Sequence, residues 1–351
     1  MDKILTIIIP TYNMEKYLRH CLDSLIVPNM DKVEVLVIND GSKDSSSVIG
    51  HEYQDKYPQT FRVIDKENGN YGSCVNRGLK EATGKYVKVL DADDSFDTKS
   101  FSSYIDMLEK IDVDMVLTNY IVVNEKGQVT SVHNYATLFS INNDVTENFK
   151  DFISKNPHYH SQMHGITYNA SVFDGLNYHQ TEGISYTDVQ WSFEPIINVK
   201  TIYYCPVNIY RYLLGRDGQT MQNQGKHIKQ LIVVVKNMLQ FFSDNNLKDY
   251  EDNSFFKYQI FLQLGAIYNS CLYYNAFPKQ ILLDFDDYLR NTYPYFFKET
   301  SSLEEHHLHL VKMWRKNNRQ RLPLWFTLYR RVQHLYHSML YSPLNKLNTK
   351  G

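Results

Sequence analysis

Three carboxylates close an apolar run in this chain: Val87-Lys88-Val89-Leu90 leads straight into Asp91-Ala92-Asp93-Asp94. Acids this close repel one another. That cost is tolerable when a hard divalent cation, Mg2+ or Mn2+, sits among the oxygens and also holds the phosphates of a nucleotide. The plainer reading is a solvated acidic turn, because Asp is common in turns. The elements that carry the acids decide between the two.

Lys85 to Leu90 reads as a buried strand, rich in β-branched and aliphatic residues and opened by Gly84. Three similar runs precede it: Leu5 to Ile9, stopped by Pro10, then Val33 to Ile38 and Phe61 to Asp65. Helical spacing separates them. Asn13 is the expected cap of a helix through Leu25, Asp44 or Ser45 that of a helix to about Tyr57, and Gly72 to Ala82 forms a third. Strand and helix in alternation predict a parallel sheet covered on both faces, whose ligands bind beyond the carboxyl ends of the strands. All four strands end in polar clusters: Thr11-Tyr12-Asn13, Asn39-Asp40-Gly41-Ser42, Lys66-Glu67-Asn68-Gly69-Asn70 and the acidic run. The topology therefore gathers them on one rim, although surface loops are polar by default.

Beyond Asp94 the spacing predicts a helix over 99–111, a strand over 114–123 and a hairpin turn at Glu125-Lys126-Gly127-Gln128, so antiparallel strands join the sheet. Further strands are expected near 166–168 and 202–210, with helices over 148–154 and 189–198. From about Met221 helical periodicity takes over, in segments 227–242, 254–274, 279–293, 303–314 and 324–339. The expected organisation is an α/β domain over 1–221, a Rossmann-like mixed sheet flanked by helices, followed by an all-helical extension over 222–351.

Composition narrows the function classes. With 43% hydrophobic and 22% charged residues among 351, the chain is globular rather than disordered. Its four cysteines lie far apart without CxxC spacing, which argues against a zinc site or disulfide frame and fits a reducing cytoplasm. No signal core or membrane-length apolar run is legible. The net charge of −2 conceals an asymmetry: no acid follows Glu305, while Lys312, Arg315, Lys316, Arg319, Arg321, Arg330, Arg331, Lys346 and Lys350 do.

The rim motifs, in order and spacing, resemble glycosyltransferase family 2: Ile7-Ile8-Ile9-Pro10-Thr11-Tyr12-Asn13, Val37-Ile38-Asn39-Asp40-Gly41-Ser42-Lys43-Asp44, Asn68 to Gly78, and Leu90-Asp91-Ala92-Asp93-Asp94. The resemblance is strong over residues 4 to about 97 and thinner to about 221. It implies a GT-A fold and a UDP-sugar donor. By similarity, Pro10, Thr11, Tyr12 and Asn13 line the nucleoside pocket, Asp40 accepts from the uracil imide, and Gly41 admits the backbone. Asn68, Gly69, Gly72 and Asn76 belong to a loop over the donor, and Asp91-Ala92-Asp93 is the DxD motif, with Asp91 and Asp93 as metal ligands. Asp94 has only a supporting role. One departure is Val75, where the family commonly has Arg; Arg77 is the nearest substitute cation.

Inverting transfer also needs a carboxylate base for the acceptor hydroxyl. The family places it in a Glu-Asp pair opening a helix about a hundred residues after the DxD, and here Thr187-Asp188 holds that place. Asp188 is the expected base and Glu182 the reserve. Arg216, in Gly215-Arg216-Asp217-Gly218-Gln219-Thr220-Met221, resembles a loop cation that folds over the donor diphosphate. His164 is a candidate for the acceptor or metal side, although a lone His is more often structural. His306, His307 and His309 suit no single helical face.

The resemblance implies an inverting, metal-dependent hexosyl- or N-acetylhexosaminyl-transferase acting on a glycan or lipid-linked glycan in cell-surface polysaccharide synthesis. A nucleotidyltransferase and a non-catalytic nucleotide-sugar-binding protein are the competing classes. In the tail, Trp314, Leu322, Leu324, Trp325, Leu328, Tyr329 and Tyr336 alternate with cations. Such a helix suits an anionic membrane surface, which would place a cytoplasmic protein peripherally on the inner face of the cell membrane. It equally suits a homodimer interface or a lid on the acidic domain. No nucleic-acid-binding module accompanies the charge.

Overall fold

The computed structural model describes residues 3–216, 224–247, 253–274, 279–300 and 309–320. The chain divides into two compact units, Met1–Gln259 and Ile260–Gly351. The first unit therefore extends past the boundary expected at 221 and takes in the helix that follows it.

The first unit opens with β1 (Leu5–Thr11), α1 (Leu18–Asp23), β2 (Val33–Asn39), α2 (Ser46–Lys56), β3 (Phe61–Asp65), α3 (Asn70–Glu81) and β4 (Tyr86–Val89). These strands lie side by side in the order β3-β2-β1-β4 and are all parallel. The runs of β2 and β4 have no solvated face: every residue of both is buried. Pro10 does not stop β1. Leu90 donates to the Ile8 carbonyl, so Pro10, two residues on, faces the edge where β4 has already ended, and its missing N–H costs no ladder bond.

Then come β5 (Ser95–Phe96), α4 (Thr98–Leu108), β6 (Met115–Val123), β7 (Val129–His133), α5 (Tyr135–Leu138), β8 (Thr146–Asn148), α6 (Phe149–Lys155), β9 (Ile166–Asn169), α7 (Asp188–Trp191) and β10 (Thr201–Leu213). The full ten-stranded sheet runs β3-β2-β1-β4-β9-β6-β10-β5, with β7 on β6 and β8 on β10. β9 is antiparallel to both β4 and β6 and joins the two halves. The hairpin turn falls where the sequence puts it, with Gly127 at φ +72°.

Two helix expectations change. Asn13 does not cap α1, whose N-cap is Tyr17; Asn13 sits at φ +52° and accepts from the Lys43 amide at 2.8 Å. The helix expected over 189–198 stops at Trp191, and Pro195 opens a separate 3-10 turn, Pro195–Asn198. Proline removes a donor and clashes with the preceding turn, so one long helix is excluded.

The helical part comprises α8 (Gln224–Asp244), α9 (Ser254–Tyr274), α10 (Lys279–Thr292), α11 (Pro294–Glu299) and α12 (His309–Lys316). α8 belongs to the first unit: Phe241 meets Phe193 edge-on, and Asn237 donates to Thr181 Oγ1 at 2.7 Å. The second unit is organised around Asp286, which is fully buried. It accepts from Tyr268 at 2.6 Å and pairs with Arg315 and Arg319. No described helix is long and apolar enough to cross a membrane. The segments 303–308 and 324–339, with His306 and His307, lie outside the described residues.

Candidate active site

The acidic run sits where β4 ends, and its three carboxylates take separate partners. Asp91 Oδ1 accepts from the Tyr71 hydroxyl at 2.9 Å. Asp93 pairs with the Arg216 guanidinium, which also lies over the Tyr17 ring. Asp94 accepts from the Tyr210 hydroxyl and the Leu213 amide, both at 2.7 Å, and so anchors the end of β10 to the end of β4. Burial is the first reason the Asp91 carboxyl is pushed up to about 7; the neighbouring Asp93 charge and, further off, that of Asp188 add to it, and the Tyr71 bond opposes it. Burial followed by the charges of Asp93 and Asp91 drives Asp94 well above the ordinary range.

Asp91, Asp94 and His164 each present one ligand atom, all within 4.8 Å of one another. Two carboxylate oxygens and an imidazole nitrogen are a donor set that suits Mn2+ or Mg2+. Nδ1 of His164 is buried without a hydrogen-bond partner among the described residues. Burial, then the nearby Lys88 ammonium, lowers the imidazole to about 3, so it is neutral and able to offer a lone pair. The residues present therefore fit a divalent cation, with a grouping that differs from the expected Asp91–Asp93 pair: Asp94 and His164 join Asp91, while Asp93 is engaged by Arg216. Of the three histidines 306, 307 and 309, no metal grouping arises among the described residues.

Asp188 opens α7. Its charge acts on Asp91, Tyr71, Tyr178 and Tyr212, so it lies near all four. Burial raises its own carboxyl, opposed by the backbone amides of Asp188 and Val189. Two buried glutamines hold this segment: Gln180 Nε2 donates to the Thr187 carbonyl at 2.7 Å, and Gln190 accepts from the Thr181 amide at 2.9 Å while donating to Glu194 at 2.7 Å. Tyr186, two residues before Asp188, lies at φ +66°. An aromatic residue rarely adopts that conformation, and its strain is held by the packing around it. Glu182 is exposed and accepts from Asn76 at 3.0 Å, so it is not grouped with the acids.

The other rim residues divide between open surface and internal bracing. Tyr12 is 45% exposed at the end of β1, with Pro10 half-buried beside it. Thr11 turns its hydroxyl back to the Ile9 carbonyl at 3.1 Å. Asp40 is only 2% exposed and its carboxylate already accepts from Lys66 Nζ at 2.6 Å and from the Gly69 and Asn70 amides, both at 2.9 Å. It thus organises the loop that opens α3. Asn68 donates to the Asp40 carbonyl, and Gly41, at φ +71°, leaves room for that loop.

Gly72 and Asn76 clasp the segment that precedes Asp188. A Cβ on Gly72 would lie 2.3 Å from the Thr181 carbonyl oxygen, and Asn76 exchanges two hydrogen bonds with the Gln180 backbone, at 2.8 and 2.9 Å. Arg77 pairs with Glu81 one turn on. Ala92 is buried. Tyr71 has no counterpart in the sequence reading; its only signal there is an aromatic hydroxyl three residues into the Asn68–Gly78 stretch. Beside Asp93 a cleft of about 350 Å3 is lined by Lys16, Tyr17, His20, Glu125 and Arg211 among others.

The sequence profile described as Glycosyl transferase family 2 matches residues 6–173. The chain is 32% identical over 133 residues to "Glycosyltransferase GlyA" of Streptococcus pneumoniae, covering 38% of this chain and 19% of that protein. It is 27% identical over 255 residues to "Minor teichoic acid biosynthesis protein GgaB" of Bacillus subtilis, covering 69% and 27%. The chain thus spans well under half the length of either relative. Among solved structures, residues 1–349 of S. aureus TarS in complex with UDP-GlcNAc superpose with a TM-score of 0.54 at 16% identity, covering 90% of this chain and 92% of that one. Residues 6–173, just under half of the chain, therefore resemble glycosyltransferase family 2, and the fold is of the GT-A type.

Proposed function

We propose that the protein is an inverting glycosyltransferase that moves a hexosyl or N-acetylhexosaminyl group from a UDP-sugar to a glycan or lipid-linked glycan in cell-surface polysaccharide synthesis. The observation that carries this reading is Asp188 at the start of α7, close enough for its charge to act on both Asp91 and Tyr71. The UDP-GlcNAc bound by TarS and the teichoic acid role in the name of GgaB support the donor and acceptor classes.

The exposed Tyr12 ring offers a stacking face to the nucleobase. The diphosphate lies toward the cleft where Lys16, Arg211 and Arg216 supply positive charge. Asp91, with its neighbours at the end of β4, would hold a divalent cation, which would neutralise charge on the leaving diphosphate. Asp188 takes the proton of the acceptor hydroxyl as that oxygen bonds to the anomeric carbon. The bond from that carbon to the UDP oxygen breaks on the opposite face, and UDP leaves with the electron pair. Because burial raises the Asp188 carboxyl, the base becomes competent at a higher pH than an exposed carboxylate would.

Product analysis tests the reading against nucleotidyl transfer, which builds a similar rim. Incubation with UDP-sugars and Mn2+ is expected to release UDP; pyrophosphate as the product would overturn the proposal. Binding of a UDP-sugar without turnover under any acceptor would instead favour a sensor.

A further inference from the structure

We propose that His133, Phe139, His158, His160 and Tyr258 form a subsite for the sugar chain of the acceptor, a neutral oligosaccharide, beside the transfer site. This deepens the proposed function and rests on its acceptor class.

The subsite is reached from the acidic run by one row of rings. Tyr210 on β10, Tyr120 on β6 and His133 on β7 are register partners on three neighbouring strands, so their side chains share one face of the sheet. The Tyr210 hydroxyl donates to Asp94 at 2.7 Å. The His164 ring fills the space between Tyr210 and Tyr120, with centroids at 4.7 and 5.1 Å. At about 4.8 Å per strand, the row brings His133 roughly 10 Å sideways from Tyr210. His133 lies flat on Tyr120, 4.3 Å away with the planes within 6°, and is half-buried.

Beyond His133 the rings turn outward. His158 and His160 are exposed, and Phe139 and Tyr258 are half-buried. His158 stacks on Tyr258 at 5.1 Å, while His160 stands 6.2 Å from Tyr258 and edge-on to Phe139 at 5.7 Å. His160 acts electrostatically on His133, so the two groups of rings adjoin.

Buried amides fix these segments from behind. Asn156, 7% exposed, accepts from the Ser140 amide at 2.7 Å and donates to the Ser140 carbonyl at 3.0 Å, tying the chain beyond α5 to the end of α6. Gln259, equally buried, donates to the Tyr159 carbonyl at 3.0 Å and ties the 158–160 loop to α9. Rings presented on a braced frame lose little freedom when a ligand settles on them.

The chemistry matches a sugar. A pyranose offers C–H faces bordered by hydroxyls; aromatic faces attract the C–H groups, and imidazole nitrogens exchange hydrogen bonds with the hydroxyls. Gln162, exposed in the same loop, adds an amide. Burial, then the neighbouring His160, lowers the His133 pKa, so that ring is uncharged at neutral pH and suits a neutral ligand.

NMR of the full chain with isotope-labelled histidine rings, titrated with cellotetraose, chitotetraose and maltotetraose and no nucleotide sugar, reads the claim. The ring signals of His133, His158 and His160 are expected to move with at least one tetrasaccharide, while His51, on α2, stays still. Tyr258→Ala is expected to weaken that binding about tenfold, and Tyr295→Ala, which removes an exposed ring of the second unit, leaves it within twofold. No movement of the three signals, equal movement of His51, undiminished binding in Tyr258→Ala, or a response to a single-stranded oligonucleotide and to none of the sugars would overturn the assignment. The wild-type titration does not depend on any variant folding. Release of UDP by wild-type protein without oligosaccharide, measured separately, judges the transfer chemistry, so loss of the subsite and loss of the glycosyltransferase reading are told apart.

Discussion

Asp40 and Asp91 both stand at strand ends on one rim, yet burial gives them different work. The Asp40 carboxylate is enclosed by Lys66 and the amides of Gly69 and Asn70, and hydrogen bonds to a charged group contribute about 1.5–3 kcal/mol each. Asp40→Asn turns an amide N–H toward these donors and is expected to lower stability by about 2–3 kcal/mol, read as a lower urea midpoint. An unchanged midpoint with lost UDP binding would instead make Asp40 a direct reader of the base. Sequence placed both acids correctly at strand ends, because alternation of strand and helix fixes the rim. It did not distinguish the members of the acidic run. That division depends on Tyr210, Leu213, Arg216 and His164, all at least 70 positions away, and no local pattern encodes who meets whom across β9 and β10.

At the scale of elements, α7 is short because Pro195 follows it closely, and it depends on neighbours to aim Asp188. Gly72 gives that dependence a test. Its Cβ position lies 2.3 Å from the Thr181 carbonyl, so Gly72→Ala must push the 180–183 segment away. It is expected to destabilise by about 1–3 kcal/mol and to reduce turnover more than donor affinity. Wild-type stability and kinetics in Gly72→Ala would contradict the close approach.

Glu194, one turn beyond α7, supplies the pH dependence. Burial raises its carboxyl from 4.5 to about 7, opposed by the Gln190 hydrogen bond. The folded state binds this proton more tightly than the unfolded one. Its contribution is therefore full below pH 4.5 and is lost as pH rises through about 7. Denaturation across pH 4–8 is expected to show Glu194→Gln gaining on wild type by a few kcal/mol toward the alkaline end. Parallel curves would exclude the shift. The parallel strands and the hairpin were legible because continuous aliphatic runs and a turn glycine are local signals. The antiparallel β9 between β4 and β6 was not, since pairing partners are set by the whole sheet.

For the whole molecule, the two compact units carry different electrostatics. Part of the basic character after Glu305 is already spent inside the second unit, where Arg315 and Arg319 pair with the buried Asp286. Breaking a buried pair leaves an uncompensated charge, so Asp286→Asn is expected to cost about 3–5 kcal/mol in the second unit. A loss below about 1 kcal/mol would place Asp286 in solvent. Any attraction of the tail to anionic vesicles must then come from the remaining cations, several of which lie outside the described residues; equal co-sedimentation by a chain ending near Glu305 would exclude it. The asymmetry of charge was legible from sequence, whereas its internal use was not, because the helix pairing that buries Asp286 leaves no trace in composition.

The central claim is that Asp188 is the base of sugar transfer from a UDP donor, and turnover in Asp188→Asn measured beside donor affinity tests it most directly. UDP formation is expected to fall by about 10²–10⁴-fold while the Kd for the UDP-sugar stays within a few fold. Undiminished UDP formation at the same donor affinity would contradict the account.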